Sequence, residues 1–312
     1  PGDILWTSPI SFVASANCGL YCGASVDFVD VDPDTALMSV NALESKLEQA
    51  KQQGKLPKIV IPVHLAGQSC DMKAISKLGK KYNFRIIEDA AHAIGASYLD
   101  KNVGSCQYSD ITVFSFHPVK VITTGEGGAA LTNNLEVAKK MQLLRSHGIT
   151  RDSKEMTNSI VSDWYYEQIS LGFNYRMTDF QAALGISQLS RLDEYVAKRS
   201  KIAHWYDEQF SNMTVIPLSD AGYGSSSHHL YVVRVKNGKD ERDKLYNYLK
   251  KNGISVNLHY IPIYRQPFFN RKIRLFGVEK YFESAISLPI FPKLSKKDLK
   301  KIITVIYKFY EN

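Results

Sequence analysis

ITVFSFHPVKVITTGEGG, residues 111–128, decides how this chain is read. Ile111–Phe116 is a run of apolar and β-prone residues that predicts a buried strand. The glycines of 123–128 predict a turn that passes close beside another group. Lys120 therefore falls just past a strand end, where open α/β sheets place their ligands. A lone lysine in such a segment is more often a solvated surface group. If it is buried, its ammonium loses a proton more readily, and the free amine can attack a carbonyl and hold it as a Schiff base.

Upstream of this stretch the sequence alternates strands and helices. Strands are expected at Ile4–Thr7, Val26–Val31, Lys58–Val63 and Phe84–Asp89. Helices are expected between them: one capped by Ser11 and running to Tyr21, one over Ala42–Gln52 capped by Asn41, and one opened by Asp71 and running to Tyr82. A βαβαβ rhythm of this kind implies a mostly parallel sheet with helices on both faces. Downstream, the pattern gives a hairpin around Asp100–Gly104, a strand at Ala129–Thr132, a helix from Leu135 to Arg145 ending toward Gly148, and a long loop over 149–170. Thr178 caps a helix, Asp179–Leu189, whose Phe180, Leu184 and Ile186 suggest a tightly packed face.

A domain boundary is expected near Leu192–Arg199, giving a large domain over 1–195 and a small α+β domain over 196–312, joined by a helix reaching Phe210. The small domain should hold strands at Met213–Leu218, His229–Val235 and Ile254–Tyr260, a helix at Asp240–Lys251, and a closing helix capped by Ser295.

Composition narrows the function classes. With 312 residues, 44% hydrophobic and 22% charged, the chain is an ordinary globular protein large enough for two cores. The net charge of +8 suits anionic ligands, yet the basic residues sit on amphipathic helix patterns such as Lys73, Lys77, Lys80 and Lys81, with no nucleic-acid-binding signature. No apolar run is long enough to cross a bilayer, so no membrane partner and a cytoplasmic location are expected. Cys18, Cys22, Cys70 and Cys106 form neither a disulfide framework nor a metal site; Cys18 and Cys22 read as small buried hydrophobes.

Asp89 gives Lys120 a chemical partner. Both are expected at strand ends of one parallel sheet, and a Schiff-base lysine with an aspartate for a ring nitrogen is what pyridoxal phosphate requires. Here the chain resembles the fold-type I, pyridoxal-phosphate-dependent sugar aminotransferases that act on nucleotide-linked keto-sugars. The resemblance spans nearly the whole chain. It rests on SPISFVASAN (8–17), PVHLAGQ (62–68), IIEDAAHAIGA (86–96), SFHPVKVITTGEGGAALTNN (115–134), LLRSHG (143–148), LGFNYRMTDFQAALGISQL (171–189), HYIPIY (259–264) and ISLPIFP (286–292).

The resemblance implies roles position by position. Lys120 would carry the cofactor and shuttle protons, Asp89 would pair with the pyridinium nitrogen, and Phe12 would stack on the ring. His92 would lie near the phenolic oxygen and Ser115 would bond the phosphate. Asn174 would reach the phosphate of a neighbouring subunit, implying a homodimer with shared active sites. Arg176, His259 and Tyr260 would contact the nucleotide-sugar, and no metal is implied. The combination of SFHPVK, RSHG, NLHYIPIY and AISLP looks most like the branch serving pseudaminic acid synthesis. That branch aminates C4 of a UDP-4-keto-6-deoxy-N-acetylhexosamine with L-glutamate as donor, leaving 2-oxoglutarate. Relatives that remove a sugar hydroxyl carry histidine where Lys120 stands, which argues against that chemistry.

His117 and Ala66 depart from the commonest family pattern. Similar proteins carry a further N-terminal strand and a phosphate-cradling turn before the point where this sequence starts, so weakened cofactor binding is expected of the chain as given. A non-catalytic or regulatory protein on the same fold is the alternative of another class, and an aminotransferase for a different dTDP-, GDP- or UDP-keto-sugar is the nearer one. A nicotinamide dehydrogenase is disfavoured because GEGG lacks the GxGxxG spacing.

Overall fold

The computed structural model describes residues 1–158 and 162–311. Its first part alternates as expected: β1 (Ile4–Thr7), α1 (Ala14–Tyr21), β2 (Ser25–Phe28), α2 (Val40–Gln52), β3 (Ile59–Ile61), α3 (Met72–Tyr82) and β4 (Arg85–Asp89). The hairpin β5 (Ser97–Tyr98) and β6 (Lys101–Asn102) follows, then β7 (Ile111–Ser115) and β8 (Gly128–Leu131). These build a six-stranded sheet in the order β2-β1-β3-β4-β7-β8, parallel except for the antiparallel β7–β8 edge. After β1 the chain adds β2 on one side and β3 on the other. That reversal opens a crevice at the carboxyl ends of β1 and β3, beside the end of β4.

Local chemistry accounts for the helices around this crevice. Asp71 accepts from the Ala74 N–H at 3.1 Å and caps α3, and Asn83 closes that helix in the left-handed region at φ 59°. For α2 the cap is Ser39, whose hydroxyl accepts from the Ala42 N–H at 3.2 Å, rather than the expected Asn41. Ser11 does not cap α1, which starts after Val13, because its hydroxyl is engaged with Ser15. Phe28, Leu43, Leu47, Met72 and Ile75 are fully buried between the sheet and these helices.

The chain continues through α4 (Leu135–Arg145), the short antiparallel pair β9 (Ile149–Thr150) and β10 (Glu167–Gln168), α5 (Asp179–Leu189) and α6 (Leu192–Phe210). The loop expected over 149–170 thus includes a strand pair, and its residues 159–161 lie outside the described residues. A second, antiparallel sheet follows, in the order β11 (Ile216–Pro217), β12 (Tyr231–Arg234), β13 (Ala285–Leu288), packed with α7 (Lys239–Lys251), α8 (Phe276–Ser284) and α9 (Lys296–Glu311). Its own core includes Tyr206, Leu245, Leu249, Ile286 and Ile306.

Three further expectations are corrected. Residues 254–260 do not form a strand: only Asn257 bridges Ser287, and the chain then leaves the sheet edge. The face of α5 is not packed within the chain, since Phe180 is 91% exposed and Ile186 72%. Cys18 in α1 and Cys22 at its C-terminal cap are exposed, whereas Cys70 and Cys106 are buried.

Candidate active site

Asp89 ends β4, and its backbone is fixed on the β3 side: its N–H donates to the Pro62 carbonyl at 2.9 Å, and its carbonyl accepts from the His64 N–H at 3.0 Å. Both carboxylate oxygens are held. Oδ1 accepts from the Ala91 N–H at 3.1 Å and Oδ2 from the Ser15 hydroxyl at 2.5 Å. A carboxylate oriented in this way presents a fixed negative charge to the crevice.

Lys120 follows the neighbouring parallel strand, because β4 and β7 run in register with Asp89 opposite Val113. A compact loop carries it there. The Phe116 carbonyl accepts from the Thr124 N–H at 3.0 Å and the Thr123 hydroxyl at 2.9 Å, and the Lys120 N–H donates to the His117 carbonyl at 2.9 Å. The glycine-rich return lets the chain re-enter the sheet as β8. A methyl group at Gly128 would lie 2.7 Å from the Phe114 carbonyl oxygen, so no side chain fits there. Burial pushes the Lys120 ammonium below its ordinary pKa, with the Asp89 charge opposing. A lysine held this way is closer to the nucleophilic free amine than a surface lysine is.

Three imidazoles and a tyrosine surround it. His92 Nε2 lies 3.1 Å from the Tyr260 hydroxyl, and the His92 ring is 4.4 Å from that of His229, centroid to centroid. His259 Nδ1 lies 2.7 Å from the Ser287 hydroxyl. Burial, followed by the positive charges and neighbouring imidazoles of the cluster, drives His92 and His229 well below the usual histidine range. Burial and Lys120 lower His259 to about 4. All three are neutral at pH 7. The Nδ1 atoms of His92 and His229 are buried without a hydrogen-bond partner among the described residues, as befits a site awaiting a polar ligand. Phe12, 63% exposed, tilts toward Tyr260 at 6.4 Å between centroids and offers an aromatic face to the same opening. These groups suit a planar, anionic, nitrogen-containing aromatic aldehyde such as pyridoxal phosphate: an amine for the carbonyl, a carboxylate for a ring nitrogen, and an aromatic for the ring face.

A family model for the DegT/DnrJ/EryC1/StrS aminotransferases matches residues 1–307. The chain belongs to that family. Among its relatives, UDP-4-amino-4,6-dideoxy-N-acetyl-beta-L-altrosamine transaminase of Campylobacter jejuni is 38% identical over 317 residues, covering 99% of this chain and 79% of the relative. Helicobacter pylori PseC, an aminotransferase involved in the biosynthesis of pseudoaminic acid, superposes with a TM-score of 0.88 at 33% identity, over 99% of this chain and 80% of that one. Spr1654 of Streptococcus pneumoniae, in its PLP-form, gives 0.85 at 31% identity over 99% and 82%. The DegT/DnrJ/EryC1/StrS chain described here is accordingly an aminotransferase with the fold of the type I pyridoxal-phosphate enzymes.

Of the residues singled out in the sequence, the structure gathers Phe12, Asp89, His92, Lys120, His259 and Tyr260 at one crevice. Ser115 ends β7 just before the lysine loop, its hydroxyl 3.4 Å from the His117 N–H. Asn174 and Arg176 lie exposed on the approach to α5; among the described residues no hydrogen bond, ion pair or ring contact joins them to the cluster. Sequence reasoning missed Ser15 and His229. Ser15 stands four residues after Ser11, the spacing of one helical face, and His229 follows His228 directly before the apolar run that becomes β12.

Proposed function

We propose that this aminotransferase moves an amino group from L-glutamate to C4 of a UDP-linked 4-keto-6-deoxy-N-acetylhexosamine, releasing 2-oxoglutarate, in the biosynthesis of a pseudaminic-acid-type sugar. The observation that carries the reading is the pairing of a half-buried Lys120, its pKa lowered by burial, with a doubly anchored Asp89 at neighbouring strand ends. The printed activities of the Campylobacter and Helicobacter relatives support the sugar.

Pyridoxal phosphate, when bound, supplies an electron-accepting ring that stabilises charge at the donor's Cα. In this reading Lys120 would hold the cofactor's aldehyde carbon until the donor's amine displaces it, and the amine so freed would be the group placed to move a proton between Cα and C4′. Asp89 keeps the ring nitrogen protonated, an effect of about 1–3 pKa units for an adjacent carboxylate, or roughly 1.4–4 kcal/mol. Phe12 covers the ring face and neutral His92 lies on the side of the phenolic oxygen. Ser115 donates to the phosphate. His259, Tyr260 and Arg176 contact the nucleotide-sugar.

We further infer a cytoplasmic homodimer in which Asn174 reaches the phosphate of the neighbouring subunit's site. The exposed large apolar side chains near it in sequence support this: Leu171 is 86% exposed, Tyr175 73% and Phe180 91%. In the same reading, residues 1–195 act as the cofactor domain and 196–312 as the smaller one. Among the described residues, no helix is long and apolar enough to cross a membrane.

Borohydride reduction in the presence of the cofactor, followed by peptide mapping, should label Lys120; a protein acting without the cofactor would stay unlabelled. In a separate, unreduced sample glutamate should bleach the cofactor's absorption band, and the UDP-4-keto sugar should restore it better than dTDP-linked ketones. Restoration by no keto-sugar in such a panel would defeat the substrate assignment.

A further inference from the structure

Ser15 sits in the first turn of α1, 6% exposed, and its hydroxyl oxygen lies 2.5 Å from Asp89 Oδ2. Ser11, 4% exposed, places its own hydroxyl 2.6 Å from that of Ser15. The direction of this chain follows from the number of protons. An ionised carboxylate can only accept, so the single Ser15 proton goes to Asp89, and Ser15 must accept from Ser11. The Phe12 carbonyl, 3.3 Å from the Ser15 hydroxyl, is left as the longer and weaker alternative acceptor.

We propose that Ser15, backed by Ser11, is a positioning residue for the cofactor: it fixes Asp89 Oδ2 by a charge-assisted hydrogen bond, so that the carboxylate meets the pyridine nitrogen in one orientation. The Ala91 N–H holds Oδ1, so without Ser15 the carboxylate would keep only one of its two anchors and could rotate about Cβ–Cγ. The same turn presents Phe12 to the crevice two residues before the helix begins. One short segment after β1 thereby supplies both the aromatic for the ring face and the donor that orients the ring-nitrogen partner.

This inference rests on the assignment of Asp89 to the ring nitrogen, and the experiment separates the two. Apoprotein of the wild type, Ser15→Ala and Ser15→Thr is titrated with pyridoxal phosphate and with its 1-deaza analogue, in which carbon replaces the ring nitrogen; thermal unfolding is followed in parallel. The wild type should prefer pyridoxal phosphate. Ser15→Ala should weaken pyridoxal phosphate binding by about ten- to a hundredfold, the scale of one hydrogen bond to a charged group, and leave the analogue nearly unaffected. Ser15→Thr, which keeps the hydroxyl, should restore the preference. Equal loss for both ligands in Ser15→Ala, or a Thr variant as weak as the Ala variant, would reduce Ser15 to a packing role and overturn the proposal. If the wild type itself did not distinguish the ligands, it would be the Asp89 assignment that failed.

Discussion

Directly behind Asp89, on the opposite face of β4, Glu88 is 5% exposed and meets fully buried His64 with 2.7 Å between Oε2 and Nε2. The Cys70 N–H donates to His64 Nδ1 at 3.2 Å, which sets the tautomer that directs Nε2–H at the carboxylate. Glu88 Oε1 also accepts from the hydroxyls of Ser109 and Thr112. Burial alone would raise the Glu88 pKa, but these three donors outweigh it and hold it below its ordinary value. His64→Leu should therefore cost about 3 kcal/mol in urea denaturation, because a buried charge loses its main donor. Replacing both partners by leucine should recover much of that loss, and a purely additive double variant would contradict the coupling. At this scale the sequence displays Asp89 and Lys120, since each is defined by its place along one strand. It hides Ser15, His64 and His229, whose meaning depends on partners brought close only by the sheet, 74 residues away in the case of Ser15 and Asp89.

Helix ends and strand ends show how far local patterns reach. The strands β1, β4 and β7 and the helices α3, α5 and α6 are legible from apolar periodicity and caps, whereas α8 and β13 went unforeseen in a segment where no period stands out. Ser39 and Asn41 are both reasonable caps for α2, two residues apart, and the choice between them is made by Ser39 standing in extended backbone at ψ 118° while Val40 is already helical. Ser39→Ala should lower stability by about 1 kcal/mol, whereas Asn41→Ala, at an exposed helical position, should leave it unchanged or slightly raised, measured by chemical denaturation; the reverse order would mean that the cap is misassigned. Residues 254–260 have strand composition but pair with β13 only at Asn257, where two hydrogen bonds link it to Ser287. Beyond that point the chain departs from the sheet, and the departure is what delivers His259 and Tyr260 to the crevice.

At the scale of the whole molecule, the three crevice histidines His92, His229 and His259, each held neutral, weaken the fold in acid. In the unfolded chain a histidine takes up its proton near pH 6.5, while His259 in the folded chain does so only near 4 and His92 and His229 stay below the ordinary value as well. Below pH 6.5 the unfolded state therefore binds more protons, and stability falls as the pH drops toward 4. His259 alone accounts for at most about 3 kcal/mol over that window. Urea midpoints measured from pH 7 to 4 should show the decline, and His259→Asn should flatten it; an unchanged slope would exclude His259 as a source. The apolar surface of α5 gives a second test at this scale. In the homodimer proposed above, Phe180→Glu, at a side chain that is 91% exposed in its own subunit, should shift the particle mass from dimer to monomer in light scattering; a wild type already of monomer mass would defeat the dimer proposal.

The segment before β12 is stitched to the first part of the chain: the Ser227 N–H donates to the Gly67 carbonyl, the Leu230 N–H to the Ala66 carbonyl, and the Ser227 hydroxyl to the His92 carbonyl at 2.7 Å. Exchange of C-terminal halves between related enzymes would consequently be no neutral graft. Such a recombinant would import, along with a new crevice wall, the residues that brace His92, so ancestry in the second half would leave its mark on the geometry of the first.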